Sequence, residues 1–457
     1  RRCTLNEIRI PGRTDCHAGG TGLCGESGRN GNDFNSEDRI QYNKNKTGKN
    51  KLERKHVIKM VVWLVIAIFT IYQVYSLVMY TLGKKDKEKM WLYNSVNSVM
   101  NVFFKKADKS TTENYSLKFA GLGDIYLTSS IINSSKSGNT YDFSEGIENV
   151  KEKLNNFDVV VASLSTPVAD KSLGYSNKSV YNAPTQLLDT LKELNVSAVA
   201  TATDHAMDKR EKGVINTINN LKEASIEQVG INESEERNKP LVISKNEINI
   251  GILSYATKSN VKIANGQKYL VNTLNEDDIK SDIEYLNSKN VDYIIAYLND
   301  PNEDSLLTSG EQKQNVELLF NNGVNVVLGT GSMVVQGQVE DQVQVNDEKT
   351  NHIYSIYSLG DFFGIYASDD NRSSVIANIE FTKKIKKNKK GEIIDTVVDM
   401  KVNTPIFVWT NFSSKNIKTM YIMQDEINNY NAGNSNLTSK EYNKLVSAND
   451  RLKGLFK

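Results

Sequence analysis

From Tyr115 onward, short apolar runs alternate with segments whose apolar residues recur at helical spacing. Runs such as 159–162 and 293–298 have the length and composition of strands that are buried on both faces, whereas 279–286 shows one apolar helical face. Helices that connect such strands must cover both sides of the sheet. The alternation therefore predicts an α/β sandwich, and it constrains the fold more than any other feature of the chain.

The alternation continues over residues 115–410, which we predict to form one domain. Two further strands are expected at 373–382 and 394–410. The basic segment 383–390 between them favours a solvated hairpin tip over a binding site. Residues 411–457 are predicted to be a polar helical tail.

Charge and cysteine content exclude several classes of protein. The formal net charge of +1 argues against a nucleic-acid partner. The three cysteines are Cys3, Cys16 and Cys24, so no disulfide or cysteine metal site exists beyond them.

Residues 1–59 are predicted to be a disordered cytoplasmic segment, whose assignment as the natural start is doubtful. A metal knuckle that includes His17 is the alternative, but its spacing fits no compact zinc pattern.

Residues 60–82 contain no charged side chain, and as a helix these 23 residues would span about 34 Å. This length favours an uncleaved transmembrane helix over a signal peptide, and no A-x-A-like site follows it. Seven Lys/Arg precede the span in 44–59 and four follow it in 84–89. The larger basic flank is expected in the cytoplasm, so the prediction is a single-pass cell-membrane protein with an extracellular C-terminal domain. Residues 83–114 are predicted to be a stalk.

Six segments with the character of motifs lie at the predicted strand ends. They are GD at 123–124, ASLSTP at 162–167, ATDHAMD at 202–208, LND at 298–300, GTGSM at 329–333 and YSLGDF at 357–362. Together they resemble the bacterial capsule-synthesis protein family of poly-γ-glutamate production (CapA/PgsA), whose domain is similar to calcineurin-like metallophosphoesterases. The resemblance covers about 117–363 and extends to the single anchor. It implies a metallophosphoesterase-like α/β sandwich.

The family's corresponding strand ends typically read GD, NLE, NNH, H-W-G, GHHPH and SLGN, and they supply metal ligands. This chain keeps Asp124 and His205, but Ser163 and Ser165 stand where the family has Asn and Glu. No histidine remains in 329–333. The resemblance therefore implies a degenerate metal site, no confident cofactor and no assigned catalytic residue.

The remnant positions that could still bind a divalent metal are Asp124, Asp204, His205, Asn299 and Asp361. A water-activating transition-metal centre needs several imidazole or carboxylate ligands, so this oxygen-rich set suits Mg²⁺ or Ca²⁺ better. Each residue also has a structural interpretation. Asp124 could end a strand in a turn, Asp204 could cap a helix, and His205 could be a hydrogen-bonded crevice residue.

Two main functions follow from these patterns. The first is a membrane-anchored extracellular accessory protein of capsule or poly-γ-glutamate-type polymer synthesis. The resemblance implies membrane-bound polymer synthase or export subunits and an anionic surface polymer as its partners. The second is a metal-dependent hydrolase, similar to a phosphoesterase, acting at the cell surface. A cell-wall or peptide-binding module is a third hypothesis, for which no polymer synthase is expected nearby.

Overall fold

The structure is a computed structural model that describes residues 59, 63, 70 and 110–457, except 178, 347–348, 365–367 and 414–415. The chain divides into two units, Arg1–Ala107 and Asp108–Lys457, and nearly all described residues belong to the second. The predictions for 1–59, for 60–82 and for most of 83–114 thus lie outside the described residues. No helix among the residues that are described is long and apolar enough to cross a membrane.

Strands and helices alternate through the second unit, as the sequence predicts. The strands are β1 (Thr111–Ile125), β2 (Lys136–Ser137), β3 (Thr140–Tyr141), β4 (Val159–Leu164), β5 (Val196–Ala200), β6 (Glu227–Val229), β7 (Leu241–Lys245), β8 (Ile248–Ala256), β9 (Tyr293–Asn299), β10 (Val326–Thr330), β11 (Gln338–Asn346), β12 (Lys349–Ile356), β13 (Asp361–Phe363), β14 (Ser373–Lys387), β15 (Ile393–Ser413) and β16 (Asn416–Ile422). The α-helices are α1 (Ser129–Ser134), α2 (Glu148–Leu154), α3 (Leu187–Glu193), α4 (Arg210–Glu223), α5 (Glu276–Ser288), α6 (Gly310–Asn321), α7 (Met423–Asn431) and α8 (Ser439–Leu455).

Two mixed sheets pack against each other. In the first the order is β16-β15-β14-β1-β4-β5-β6, with β13 beside β1, and in the second it is β11-β12-β10-β9-β8-β7. Leu117 and Phe119 of β1 lie in the core between the sheets, together with Ile250 and Ile295 of the second sheet. Leu122 faces the helices on the outer side, because successive strand residues point to opposite faces. This is a mixed α/β fold rich in sheet.

The parallel strands of both sheets run in the same direction, so the second unit has two distinct ends. At the amino ends, Lys383 of β14 forms an ion pair of 2.9 Å with Asp292, which precedes β9. Asn246, in the β7–β8 turn, donates to the carbonyl of Ser116 at this same end. We call it the basal end. The carboxyl ends of β1, β4, β5, β9 and β10 lie at the opposite end.

Two predicted boundaries differ from the structure. β1 begins at Thr111, so the end of the predicted stalk (83–114) belongs to the sheet. Its first residues are polar because they lie at an exposed edge of the core, and so they lack the apolar alternation of a strand. The predicted tail (411–457) contains β16 of the first sheet and helix α8. Leu445 and Leu452 of α8 are buried in the core between the sheets, so this segment is an integral part of the domain.

Candidate functional site

The five residues predicted at the strand ends lie close together at one end of the two sheets, in a region that we call the crevice. Asp124 lies near the end of β1, and Asp361, at the start of β13, is its neighbour in the sheet. Asn299 ends β9 in the second sheet, and its Oδ1 accepts the backbone N–H of Asp204 at 3.0 Å. His205 follows, with Nε2 3.5 Å from Asp204 Oδ2. The fold therefore brings all five side chains to the same end of the two sheets.

Asp124 is buried, and both of its carboxylate oxygens accept hydrogen bonds from the chain itself. Oδ1 accepts from the hydroxyl of Ser163 at 2.7 Å and from the hydroxyl of Ser165. Oδ2 accepts from the backbone N–H of Gly331 at 2.6 Å. Gly331 has φ +93°, a conformation that L side chains rarely adopt. A glycine here lets the loop after β10 direct its N–H at Asp124.

Opposing influences act on the charge of Asp124. Burial raises the pKa of its carboxyl, since a charged group is poorly solvated inside the protein. The bonds from Ser165, Ser163 and Gly331 favour the charged form, and so does the nearby His205, yet the net shift is upward. The hydroxyls thus stabilise a carboxylate that burial disfavours.

His205 is bonded to a carboxylate that the sequence interpretation did not single out. Its Nδ1 lies 2.8 Å from Asp208 Oδ2, which also accepts the backbone N–H of Tyr181 at 2.7 Å. Burial disfavours the imidazolium, but Asp208 and Asp204 outweigh this effect and raise the pKa of His205. Burial also raises the pKa of Asp204 to about 6. His205 is therefore held in a cluster of acidic side chains.

Tyr126 lies between Asp361 and the rings of Tyr181 and His205. The hydroxyl of Tyr126 donates to Asp361 Oδ2 at 2.8 Å. The ring of Tyr126 lies 5.2 Å from the ring of Tyr181 and 6.3 Å from that of His205. Burial and the adjacent Asp361 raise the pKa of Tyr126 well above its usual value. The phenol therefore stays protonated and donates to the carboxylate.

The residues present do not fit a divalent metal bound at the five remnant positions. Both oxygens of Asp124 already accept hydrogen bonds, and Nδ1 of His205 is directed at Asp208. Both polar atoms of the Asn299 side chain are also hydrogen-bonded: Oδ1 accepts the backbone N–H of Asp204, and Nδ2 donates to Thr330 Oγ1 at 3.2 Å. In the part of the chain that is described, no three His, Cys, Asp or Glu side chains form a group that could hold a metal ion. The arrangement suits a hydrogen-bonded network.

Three residues of this network were not recognised from the sequence as part of the site, although two of them, Tyr126 and Asp208, could have been found. Tyr126 is two positions after Asp124 and directly follows the end of β1, and its hydroxyl reaches Asp361, the sheet neighbour of Asp124. Asp208 follows His205 at a spacing of three, which brings the two together in the turn before α4. Gly331 gave no signal, because its contribution is a backbone N–H. His352, in contrast, lies away from the crevice in β12, where Nε2 is 2.8 Å from Glu340 Oε1.

A family model described as "Bacterial capsule synthesis protein PGA_cap" matches residues 118–366. No curated protein matches the chain. Two solved structures from Thermus thermophilus are similar over part of their length. A 5'-nucleotidase precursor has 13% identity and a TM-score of 0.34, over 63% of this chain and 54% of its own. Sulfate thiohydrolase SoxB, in complex with glycerol, has 9% identity and a TM-score of 0.30, over 53% and 39%. At these scores neither likeness carries a functional argument.

Proposed function

The chain belongs to the family of bacterial capsule synthesis proteins that PGA_cap describes, and from this membership we propose that it is an accessory protein of capsule synthesis with no hydrolytic metal centre. The observation that carries the proposal is the set of hydrogen bonds on Asp124. Ser163, Ser165 and Gly331 donate to this carboxylate at the position where a metal ligand is expected. The proposed ancestry is a metallophosphoesterase-like sandwich whose ligands were replaced by hydrogen-bond donors.

A role in binding and assembly follows from the chemistry of the crevice. Hydrolysis of a phosphoester or an amide needs an activated water and stabilisation of developing negative charge. Acidic groups, among them Asp204, Asp208 and Asp124, surround His205 instead, and they disfavour both an anionic substrate and an anionic transition state. An anionic polymer of the poly-γ-glutamate type is therefore expected to contact a surface outside the crevice.

The proposal places the protein at the cell membrane. The uncharged span 60–82 would be the single anchor, with the domain on the extracellular side, as the excess of basic residues in 44–59 favours. Membrane-bound polymer synthase and export subunits are the proposed partners. A neighbouring gene for a Mur-ligase-like enzyme would support this assignment over a cell-wall or peptide-binding module.

Metal content and phosphoester turnover of the full chain test the absence of a hydrolytic centre. We expect metal well below one equivalent by elemental analysis after purification in the presence of Mg²⁺, Mn²⁺ or Zn²⁺. We also expect no turnover of a generic phosphoester, with or without chelator. Stoichiometric metal together with turnover that a chelator abolishes would establish the hydrolase and refute the proposal.

Complementation in a deletion strain of the source bacterium tests the link to capsule synthesis. Loss of the gene is expected to lower the amount of surface polymer, and the wild-type gene should restore it. His205→Ala should restore it as well, provided that the variant reaches the membrane in normal amount, because the proposed role needs no imidazole chemistry. Failure of this variant alone, at normal abundance, would point to catalysis.

A further inference from the structure

The basal end carries a hairpin that extends beyond the core. We call residues 383–398, which include the end of β14 and the start of β15, the basal hairpin. Its turn is closed by the N–H of Asn388 donating to the carbonyl of Glu392 at 2.9 Å. Ile385 is buried against the domain, so the base of the hairpin is fixed while its tip is exposed.

Large apolar side chains are exposed on this hairpin. Ile393 is 61% exposed, Ile394 49% and Val397 52%. Val397 lies opposite Lys384 across the two strands, so an aliphatic and a cationic side chain share one face. Exposed aliphatic residues grouped within five positions are typical of a surface that contacts an apolar partner.

The hairpin is also basic. Residues 383–398 contain six lysines and two acidic residues. Lys383 and Lys387 at its base are paired with Asp292 and Glu113 at 2.9 and 2.7 Å. The tip lysines, Lys389 and Lys390, are exposed, and neither forms an ion pair with another described residue. Positive charge is therefore concentrated at the tip.

The chain enters the domain beside this hairpin. Thr111, the first residue of β1, is the sheet partner of Lys387. The sequence that precedes it contains the uncharged span 60–82 and its basic flanks. The acidic crevice lies at the opposite end of the sheets. The basal end thus combines exposed aliphatic groups, cationic groups and the connection to the proposed anchor.

We propose that the basal hairpin docks on the surface of an anionic lipid bilayer, with Ile393, Ile394 and Val397 entering the interface and the tip lysines contacting headgroups. Interfacial segments bind through this combination of apolar area and Lys/Arg attraction to anionic lipid. A soluble polyanion would use the lysines but leave the aliphatic side chains in water. The inference rests on the proposed anchoring, and it directs the crevice away from the membrane.

Depth-dependent fluorescence quenching tests the docking in the full chain. The native cysteines are replaced by serine, and an environment-sensitive label is placed at Thr396→Cys in the hairpin or at Leu307→Cys near the crevice. Leu307 is 80% exposed and Thr396 is also exposed, so both labels start in water. The chain is reconstituted into phosphatidylcholine–phosphatidylglycerol vesicles that contain spin-labelled lipids, and into pure phosphatidylcholine vesicles.

We expect quenching of the label at 396, but not at 307, and only in the anionic vesicles. Lys389→Glu with Lys390→Glu should lower the docked fraction by about tenfold or more, since each lysine near an anionic surface strengthens binding severalfold. The matched control, Lys258→Glu with Lys262→Glu, makes the same charge change in the loop beside Asp204 and should leave quenching unchanged.

Flotation of the vesicles separates this proposal from the anchoring. An unquenched label at 396 on a chain that floats with anionic vesicles would overturn the docking and leave the anchoring intact. Quenching at 396 before a urea wash, on a chain that the wash then releases from the vesicles, would refute the anchoring and support the docking. A change in the fluorescence of the label at 396 that depends on protein concentration would assign the hairpin to contact with a second copy and overturn the proposal. A change that follows addition of poly-γ-glutamate in neutral vesicles would assign the hairpin to the polymer and would also overturn it.

Discussion

Removal of the hydroxyls that contact Asp124 should destabilise the domain in a way that depends on pH. Ser165→Ala deletes one of three donors to a carboxylate that is only 2% exposed. A hydrogen bond to a charged group contributes about 1.5–3 kcal/mol, so a loss of this size is expected in the free energy of unfolding near neutral pH. Ser163→Ala should have a similar effect.

The pH dependence follows from the direction of the pKa shift. Burial already raises the pKa of Asp124 in the folded state, and loss of a donor raises it further. An acid whose folded pKa exceeds its unfolded value binds more protons when folded, so its contribution to stability falls as pH rises above about 4. The deficit of Ser165→Ala should therefore be larger at pH 8 than at pH 4, by up to about 1.4 kcal/mol for each further unit of pKa.

Urea unfolding of the unit Asp108–Lys457, followed by circular dichroism at both pH values, measures this deficit. The matched control is Ser254→Ala, because Ser254 is equally buried but its hydroxyl accepts only the backbone N–H of Ala202 at 3.0 Å. The control should lose stability by the same amount at both pH values. A Ser165→Ala deficit that is absent, or that stays constant with pH like the control, would refute the role of the hydroxyls in stabilising the charge.

Three further outcomes are expected. Burial raises the pKa of Asp204 to about 6, so the wild type should lose stability, about 3 kcal/mol at most, as pH rises from about 4 to 6. Asp204→Asn should abolish this loss, and parallel pH profiles of the two proteins would contradict this. Gly331→Ala should destabilise the domain by about 1–3 kcal/mol because its φ is +93° and the new Cβ would lie 3.1 Å from a backbone nitrogen, whereas Gly337→Ala, with nothing within 4 Å, should be nearly neutral in the same denaturation assay. Leu445→Ala in α8 should lower the unfolding free energy by about 2–5 kcal/mol, and a value near zero would show that the C-terminal segment is dispensable.

The order of strands and helices could be predicted because each buried element carries its own periodicity. The run at 159–162 is apolar on both faces, since β4 lies between two neighbours and under helices. Residues 111–116 could not be assigned to a strand in this way. They belong to an exposed extension of the sheet, where hydrogen bonding to β14 rather than burial maintains the strand. The apolar periodicity of a sequence reflects burial, so a strand segment that has no buried face is missed.

The positions of the candidate site could be predicted, but the contacts among them could not. The rule that parallel strands end at one edge placed Asp124 and Asn299 together. Ser163 and Ser165 were interpreted as losses of an amide and a carboxylate, although both donate to Asp124. A hydroxyl is recognised as a replacement donor only when its distance to an acceptor is known. That distance depends on the register of β1 against β4, which places Asp124 beside Ser163.

The length and direction of β1 have a mechanical consequence. β1 runs from the basal end at Thr111 to the crevice, and it is bonded along most of this length to β14 and then also to β4. A force that pulls Thr111 away from the crevice along the strand axis would act roughly perpendicular to these hydrogen bonds. The bonds would then be loaded together in shear, whereas a terminal strand pulled sideways would peel away one bond at a time. The domain is thus built to resist extension when it is pulled from this point.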